Sequence, residues 1–403
     1  MTPELRVLHV TTVPTSLMFL DGQSSFMREH GVVLFAISSP GNDLDAWGNR
    51  EQVSTFGVPM ARQITPFSDL VALARIIGVI RKVRPHIVHS HTPKGGLLGT
   101  LAAAVCAVPT RIYHLRGLPL TTARGIRRVL LATTERIASG AATQVLCVSR
   151  SLREVAITER LCAADRINVL EAGSGNGVDA AERFNPERLP SGTRNETRRG
   201  LQIDDDALVI GFVGRLVRDK GIGELVEAWA RVRGELPASA RLLVVGPYEE
   251  RDPVAGYVRD ALERDPTVVR VDFTRDTPVL YAAMDVVVLP TYREGFPNVP
   301  LEAAAMGLPV IATRIPGCID AVDDGETGTL VPVRDVEALA SAMLTYATDA
   351  QLRARHGHAG RARVLSRFSR AAMHRALLTK YLELTARPFR DATPVTRRDA
   401  CAE

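Results

Sequence analysis

Residues 211–229 read GFVGRLVRDKGIGELVEAW, and this stretch indicates the fold more directly than any other. A short apolar, β-rich run ends at the glycine corner Gly214, a basic loop follows, and apolar residues then recur at helical spacing from about residue 221. A strand, a turn and a helix in this order form one βα unit, the building block of a parallel sheet. The basic loop holds Arg215 and Lys220, next to the free backbone N–H groups of the following helix.

The same alternation runs through the chain in two series. The first predicts strands at 5–10, 32–37, 87–91, 111–115, 144–149 and 167–170. The second predicts strands at 208–213, 242–245, 268–273, 286–289, 310–313 and 328–331. Between them, residues 172–206 are polar and rich in turn formers, which is typical of an interdomain linker.

These patterns predict an α/β protein with two doubly wound, Rossmann-like domains that face a central cleft. We place the first domain at 1–185 and the second at 200–367. A helix at about 368–386 is expected to pack back on the first domain, and the polar tail 387–403 is expected to be disordered. Ligands of such folds bind at the carboxyl ends of the strands, so the cleft is where we expect chemistry.

Composition excludes several classes of protein. Among the 403 residues, 46% are hydrophobic and 24% are charged, as in ordinary globular domains. The net charge of +5 is too small for this length to indicate a nucleic-acid partner. The five cysteines form no CxxC pair, and no run of residues is long and apolar enough for a membrane span, so we expect a cytoplasmic protein with reduced thiols.

Lysine is rare, which draws attention to the loop at 215–220. Only four of the 50 basic residues are lysine, and Lys220 is one of them. With Arg215 and the helix N-terminus it is expected to bind a diphosphate, although two solvated loop charges would look the same. The loop has neither a GxGxxG nor a GxxxxGK[ST] pattern, so nothing supports a dinucleotide or P-loop site.

A pair of glutamates follows the strand predicted at 286–289. The stretch EGFPNVPLE places Glu294 in a loop and Glu302 in the helix that begins there. Carboxylates accept hydrogen bonds from vicinal hydroxyls, so one could bind a sugar and the other a ribose. The alternative is a surface loop charge and a residue that favours the helix dipole.

Residues 290–332, PTYREGFPNVPLEAAAMGLPVIATRIPGCIDAVDDGETGTLVP, together with VGRLVRDKG at 213–221, resemble retaining glycosyltransferases of family 4, which have the GT-B architecture. That family's E-x7-E motif falls on Glu294 and Glu302. The resemblance implies a nucleotide-sugar donor, with Glu294, Arg215 and Lys220 as catalytic residues and Glu302 on the ribose hydroxyls. It further implies donor contacts from Gly295, Phe296, Asn298, Val299 and Gly22, and no requirement for a metal or other cofactor.

Three N-terminal stretches resemble a bacterial subgroup of this family that builds polysaccharides or lipid-linked glycans: TTVPTSLMFLDGQSSFMREHG at 11–31, HSHTPKGGLLGTLAA at 89–103 and RIYHLRGLPL at 111–120. The acceptor implied is a glycan or a polyprenyl-diphosphate-linked glycan. His91 and Lys94 follow a strand and precede a helix, a favourable place for an anionic acceptor.

The third stretch departs from the family. Where many members carry His-Gly, this chain has Arg116-Gly117, with His114 two residues earlier. An arginine there can hold a phosphate or a carboxylate, and we predict that Arg116 and His114 contact the acceptor. His89 and His91 share a strand face, but the sequence shows no third ligand, so we predict no metal site.

A basic, partly amphipathic helix is expected after residue 124. Arg124, Arg127 and Arg128 alternate with apolar residues, as in helices that rest on anionic membranes. An ordinary surface helix would show the same pattern.

The expected activity is therefore retaining transfer from a UDP-linked sugar to a glycan or lipid-linked acceptor in surface polysaccharide synthesis. A nucleotide-sugar epimerase, a phosphorylase, a glycosyltransferase of specialised metabolism and a non-catalytic sugar-binding subunit remain as alternatives.

Overall fold

The structure is a computed structural model and describes residues 4–63, 65–250 and 252–386. It contains two parallel sheets. The first has the order β3-β2-β1-β4-β5-β6-β7 and the second the order β10-β9-β8-β11-β12-β13. The strands of the first are β1 Leu5–Val10, β2 Val32–Ser38, β3 Ser54–Gly57, β4 Ile87–His91, β5 Thr110–Leu115, β6 Gln144–Cys147 and β7 Ile167–Val169. Those of the second are β8 Val209–Val213, β9 Arg241–Val245, β10 Val268–Val271, β11 Val286–Leu289, β12 Val310–Thr313 and β13 Gly328–Val331.

Helices flank both sheets, which confirms the predicted pair of doubly wound, Rossmann-like domains. Those connecting the first sheet are α1 Gln23–Glu29, α2 Asn42–Glu51, α3 Pro66–Val83, α4 Pro93–Val105, α5 Gly125–Ala141 and α6 Arg150–Thr158. The rest are α7 Thr193–Gly200, α8 Ile222–Val232, α9 Gly256–Arg264, α10 Thr277–Ala283, α11 Asn298–Ala305, α12 Cys318–Ala321, α13 Val336–Thr348, α14 Ala350–Arg367 and α15 Arg370–Ala386. Among the described residues, none of these helices is both long enough and apolar enough to cross a bilayer.

The β8–α8 unit shows why the sequence folds in this way. All five residues of β8 are buried, as expected for a central strand with helices on both faces. In α8 the buried residues Ile222, Leu225, Val226 and Trp229 recur at helical spacing and form the face that packs on the sheet. Gly221, between them, has a φ of 70°, and a Cβ there would lie 2.0 Å from the carbonyl oxygen of Pro290. Only glycine therefore allows the loop to pass so close to the end of β11.

Strand order positions the site. In the first sheet the direction of winding reverses between β1 and β4, and in the second between β8 and β11. Such reversals leave a crevice at the carboxyl ends of the strands, because the loops on either side diverge to opposite faces. The loops at 214–220 and 290–297 follow β8 and β11 and lie at the second crevice. Residues 91–94 follow β4 and lie at the first.

Two elements of the structure, β3 and α7, were not expected from the sequence. The edge strand β3 was not predicted, because its four residues alternate only weakly in polarity and its ends are exposed. Helix α7 lies inside the predicted linker and packs on α10, so the second domain begins before residue 200. The fully buried Arg198 of α7 pairs with Asp285 at 3.0 Å and donates to backbone carbonyls.

Helix α15 packs on the first domain, since Leu377, Leu378 and Tyr381 belong to the hydrophobic cluster beneath β1 and β2. The chain crosses from the second domain at Phe368, whose carbonyl accepts a hydrogen bond from the backbone N–H of Val178 at 2.9 Å. The tail predicted to be disordered, 387–403, lies outside the described residues.

Candidate active site

Two cavities lie between the domains at the carboxyl ends of both sheets. The larger, of about 600 Å³, is lined by residues of both domains, and the smaller, of about 250 Å³, lies next to it. Five residues line both cavities: Phe19 and Arg116 from the first domain, and Lys220, Glu294 and Gly295 from the second. The site is therefore shared between the two domains.

The basic loop after β8 lies at this cleft. Arg215 forms an ion pair with Glu249, and Arg62 of the first domain binds the other oxygen of Glu249 at 2.9 Å. Lys220 forms an ion pair with Glu294. The structure thus brings together Arg215, Lys220 and Glu294, the three residues that the resemblance implied to be catalytic, in one cavity.

Glu302 has a different environment. It accepts a hydrogen bond of 2.9 Å from the hydroxyl of Tyr281 and lines neither cavity. Burial raises the pKa of the Glu302 carboxyl, and the Tyr281 hydrogen bond opposes that shift. A carboxylate held in this way remains able to accept further hydrogen bonds, as hydroxyl recognition requires.

The loop between Glu294 and α11 lines the smaller cavity, and residues 295–299 contribute to its wall. The domains are in close contact here. A Cβ at Gly295 would lie 1.8 Å from the carbonyl oxygen of Arg116, and the hydroxyl of Ser149 donates to the Gly295 carbonyl at 2.7 Å. Phe296 packs against Phe368 at 5.5 Å between ring centroids. The N-terminus of α11 therefore faces a pocket that the first domain closes from the other side.

Of the site residues predicted in the first domain, only some line a cavity. Lys94 lines the larger cavity but is paired with Asp69 at 2.7 Å. Gly22 lines neither cavity and donates its backbone N–H to Glu51 at 3.1 Å. His91 and His114 are buried, with 1% and 5% of their surfaces exposed, so both lie behind the cavity walls.

Four histidines and Tyr381 form a buried cluster behind the cleft. His9 and His91 are joined at 2.9 Å, His89 and His114 at 3.1 Å, and His89 and the Tyr381 hydroxyl at 2.6 Å. Burial lowers the pKa of all four histidines, that of His9 to about 3. These histidines are therefore neutral at physiological pH.

His9 supplies the third imidazole that sequence analysis did not find beside His89 and His91; ligand atoms of the three lie within 4.8 Å of one another. However, His91 already uses Nε2 toward His9 and Nδ1 as acceptor for Arg116 at 3.1 Å. A divalent ion would have to break one of these bonds and lie next to a guanidinium. The geometry favours a hydrogen-bond chain over a metal site.

Sequence analysis missed several residues of the cleft. Arg62 and Glu249 meet across it although 187 positions separate them in the chain. Arg293 follows β11 and pairs with Asp219 at 2.9 Å. His9, in the cluster behind the cleft, lies near the end of a predicted strand, and in the sheet it is directly opposite His89.

Comparison with known proteins identifies the family. Residues 207–349 match the family model described as glycosyl transferases group 1, and residues 27–173 match the glycosyl transferase 4-like domain. The capsular polysaccharide biosynthesis glycosyltransferase CapM of Staphylococcus aureus is 37% identical over 376 residues, covering 93% of this chain and 96% of that protein. The chain belongs to the group 1 and 4-like glycosyltransferases.

Another relative of this glycosyltransferase is the Escherichia coli UDP-Gal:alpha-D-GlcNAc-diphosphoundecaprenol alpha-1,3-galactosyltransferase, 27% identical over 74% of this chain and 76% of that protein. Among solved structures, Anabaena Alr3699/HepE in complex with UDP-glucose superposes with a TM-score of 0.78 at 19% identity, covering 94% of this chain and all of that one. A glycosyltransferase from Rickettsia africae ESF-5 gives a TM-score of 0.79 at 20% identity, covering 96% of this chain and all of that one. These structural similarities establish the shared two-domain fold.

Proposed function

We propose that this glycosyltransferase moves the sugar of a UDP-linked donor, with retention of anomeric configuration, to a hydroxyl of a polyprenyl-diphosphate-linked glycan during bacterial surface polysaccharide synthesis. The observation that carries the proposal is the convergence of Arg215, Lys220 and Glu294 in a cleft whose opposite wall is also basic. The names of the S. aureus and E. coli relatives support the pathway and the acceptor class.

The donor half has the charges that the departing nucleotide needs. When the bond to the sugar breaks, negative charge accumulates on the diphosphate. Lys220 lies on both cavities and Arg215 on the larger one, and the N-terminus of α11 adds backbone donors at the smaller one. Pre-positioned cations and N–H groups stabilise such charge without a metal ion, and we propose that none is required.

Glu294 suits recognition of the transferred sugar. Its carboxylate is bound to Lys220, next to the backbone of Gly295, so it can accept hydrogen bonds from sugar hydroxyls while Lys220 faces the diphosphate. We propose a front-face transfer in which the leaving phosphate takes the acceptor's proton. Glu302, held by Tyr281, would bind the ribose hydroxyls.

A transfer assay tests this function. The purified chain would be incubated with a panel of UDP-sugars, with and without a polyprenyl-diphosphate-linked GlcNAc acceptor, while UDP release and product are followed. We expect acceptor-dependent UDP release from one UDP-sugar, and a product whose anomeric proton has the coupling constant of the donor's anomer. An inverted product would refute retention. Acceptor-independent change of the donor would indicate an epimerase, and dependence on inorganic phosphate a phosphorylase.

We further propose that the first domain docks on an anionic membrane. Ile126 and Val129 in the first turns of α5 are 89% and 63% exposed, and Phe67 at the start of α3 is 87% exposed. Arg124 and Arg127 lie beside the exposed residues of α5, which is the combination found in membrane-surface helices. Both helices begin at the edge of the sheet that faces the cleft, so docking there would bring a lipid-linked acceptor to the site.

Vesicle flotation tests the docking. The wild type should float with vesicles that contain phosphatidylglycerol and not with phosphatidylcholine alone, and Ile126→Asp should abolish flotation while UDP-sugar hydrolysis is retained. As a matched control, Leu365→Asp changes a residue of α14 that is 46% exposed and lies in the second domain. Equal flotation of Ile126→Asp and wild type would refute this surface.

A further inference from the structure

Arg116 is a cation without a counter-charge at the junction of the two cavities. Neither Nη nitrogen of Arg116 has a hydrogen-bond or ion-pair partner among the described residues. Three other cations of the larger cavity do have a counter-charge, because Lys94 pairs with Asp69, Lys220 with Glu294 and Arg293 with Asp219. Burial lowers the pKa of Arg116 to about 9, which leaves it charged at neutral pH.

The guanidinium fork of Arg116, formed by its two Nη groups, is held in a fixed position. Its Nε–H donates to Nδ1 of His91 at 3.1 Å, and its guanidinium carbon lies 4.6 Å from the centroid of the Phe19 ring. A Cβ at Gly175 would lie 2.0 Å from Nη1, so the glycine leaves room for the guanidinium in this position. Arg116 is held in this way at a position where it lines both cavities.

The hydrogen bond from Arg116 to His91 also determines which ring nitrogens of His91 and His9 carry a proton. Because Nδ1 of His91 accepts from Arg116, a neutral His91 carries its proton on Nε2 and donates it to Nδ1 of His9. His9 then carries its own proton on Nε2, which is buried and has no partner among the described residues. Protonation of His91 would turn both of its nitrogens into donors and break one of the two bonds.

A neutral hydrogen-bond acceptor behind Arg116 leaves more positive charge on the guanidinium than a carboxylate would. A carboxylate would orient the guanidinium but would also cancel most of its charge. An imidazole accepts the Nε–H and leaves the full positive charge for an incoming ligand. A guanidinium in this state, with a free fork in a partly closed cavity, has the geometry that binds phosphate through two hydrogen bonds.

We propose that Arg116 is an anion-binding residue that the first domain contributes to the reaction, and that His91 and His9 are positioning residues that hold its fork while leaving its charge available. The anion is a phosphate group, carried either by the donor or by the lipid-linked acceptor, since Arg116 lines both cavities. This inference rests on the proposed function, because it assigns the anion to a substrate of the transferase.

The test uses the full chain and four variants. Arg116→Gln removes the charge, and His91→Phe removes the acceptor behind it. Both are expected to lower kcat/KM about ten- to a hundredfold, the effect of losing a charge-assisted hydrogen bond. The double variant should be no worse than Arg116→Gln alone, because His91 acts through Arg116. His91→Asn should recover most of the activity, because its Oδ1 can replace Nδ1 as acceptor.

The matched control is His356→Phe, since His356 is a buried histidine of the second domain bonded to Tyr346 at 2.8 Å, away from the cleft. It should leave kcat/KM unchanged. Losses that multiply in the Arg116→Gln, His91→Phe double variant would refute the positioning role, and wild-type kinetics of Arg116→Gln would overturn the whole inference.

Binding measurements distinguish the two sources of phosphate. A weakened calorimetric affinity of Arg116→Gln for UDP would assign the anion to the donor. An unchanged UDP affinity with a raised KM for the acceptor would assign it to the acceptor. If neither constant changes while the wild type turns over, the inference fails and the proposed function stands. If the wild type neither binds UDP nor turns over, the proposed function fails first.

Discussion

Replacing Lys220 by methionine tests the donor site most sharply, because methionine keeps the length of the side chain and removes the ammonium. Lys220 lines both cavities and pairs with Glu294, and their side chains are 21% and 13% exposed. Loss of one donor to developing charge typically lowers kcat by a factor of about 10² to 10³, about 3–4 kcal/mol. We therefore expect UDP release to slow at least about a hundredfold.

The same substitution should hardly affect folding. A partly exposed ion pair contributes about 1 kcal/mol or less, which corresponds to a change in Tm of about 2–4 °C for a domain of this size. UDP release would be followed under saturating donor and acceptor, and Tm by scanning calorimetry. Lys380→Met is the matched control, because Lys380 lies on α15 and pairs with Glu383 outside the cleft. A Lys220→Met enzyme with near wild-type kcat and normal Tm would show that Lys220 does not stabilise the leaving diphosphate.

Three further predictions concern single side chains. Glu302→Gln should lower the affinity for UDP about ten- to a hundredfold in a calorimetric titration, because a charge-assisted hydrogen bond to the ribose is lost. Unchanged affinity would contradict this role. Gly295→Ala should lower kcat about a hundredfold, because the new Cβ would lie 1.8 Å from the Arg116 carbonyl and push the domains apart; kinetics equal to those of Gly234→Ala, where a Cβ meets nothing within 4 Å, would count against it. Burial raises the pKa of Glu135 to about 7, so folding favours its protonated form. Stability should then fall by up to ~3 kcal/mol as pH rises from about 5 to about 8, and Glu135→Gln should flatten the Tm–pH profile; parallel profiles would show that Glu135 does not titrate this way.

The proximity of Lys220 and Glu294 could be predicted from the sequence because each residue lies within a short stretch that follows a strand. Lys220 follows β8 after a glycine corner, and Glu294 follows β11, the next strand in the sheet. Since parallel strands end at the same edge, spacing along the chain was enough to bring the two side chains together.

The arrangement of the residues predicted in the first domain depends on contacts that spacing does not encode. Both His91 and His114 sit at strand ends, as predicted, yet both are buried, in the histidine cluster where Tyr381 of α15 meets His89. The hydrogen bond between His91 and Arg116 depends on the register of β4 against β5, and the Glu249 bridge to Arg62 depends on how the two domains face each other. Neither can be read from periodicity in a single chain.

In the proposed function, the cleft beside β8 and β11 binds a UDP-linked sugar. Calorimetric titration of UDP, with GDP and ADP as comparisons, into the purified chain in the presence of EDTA tests it most directly. We predict one UDP bound per chain, with weaker or no binding of GDP and ADP, and a clear loss of UDP affinity in Lys220→Met. No heat of binding for UDP, or equal affinity for all three nucleotides, would contradict the claim.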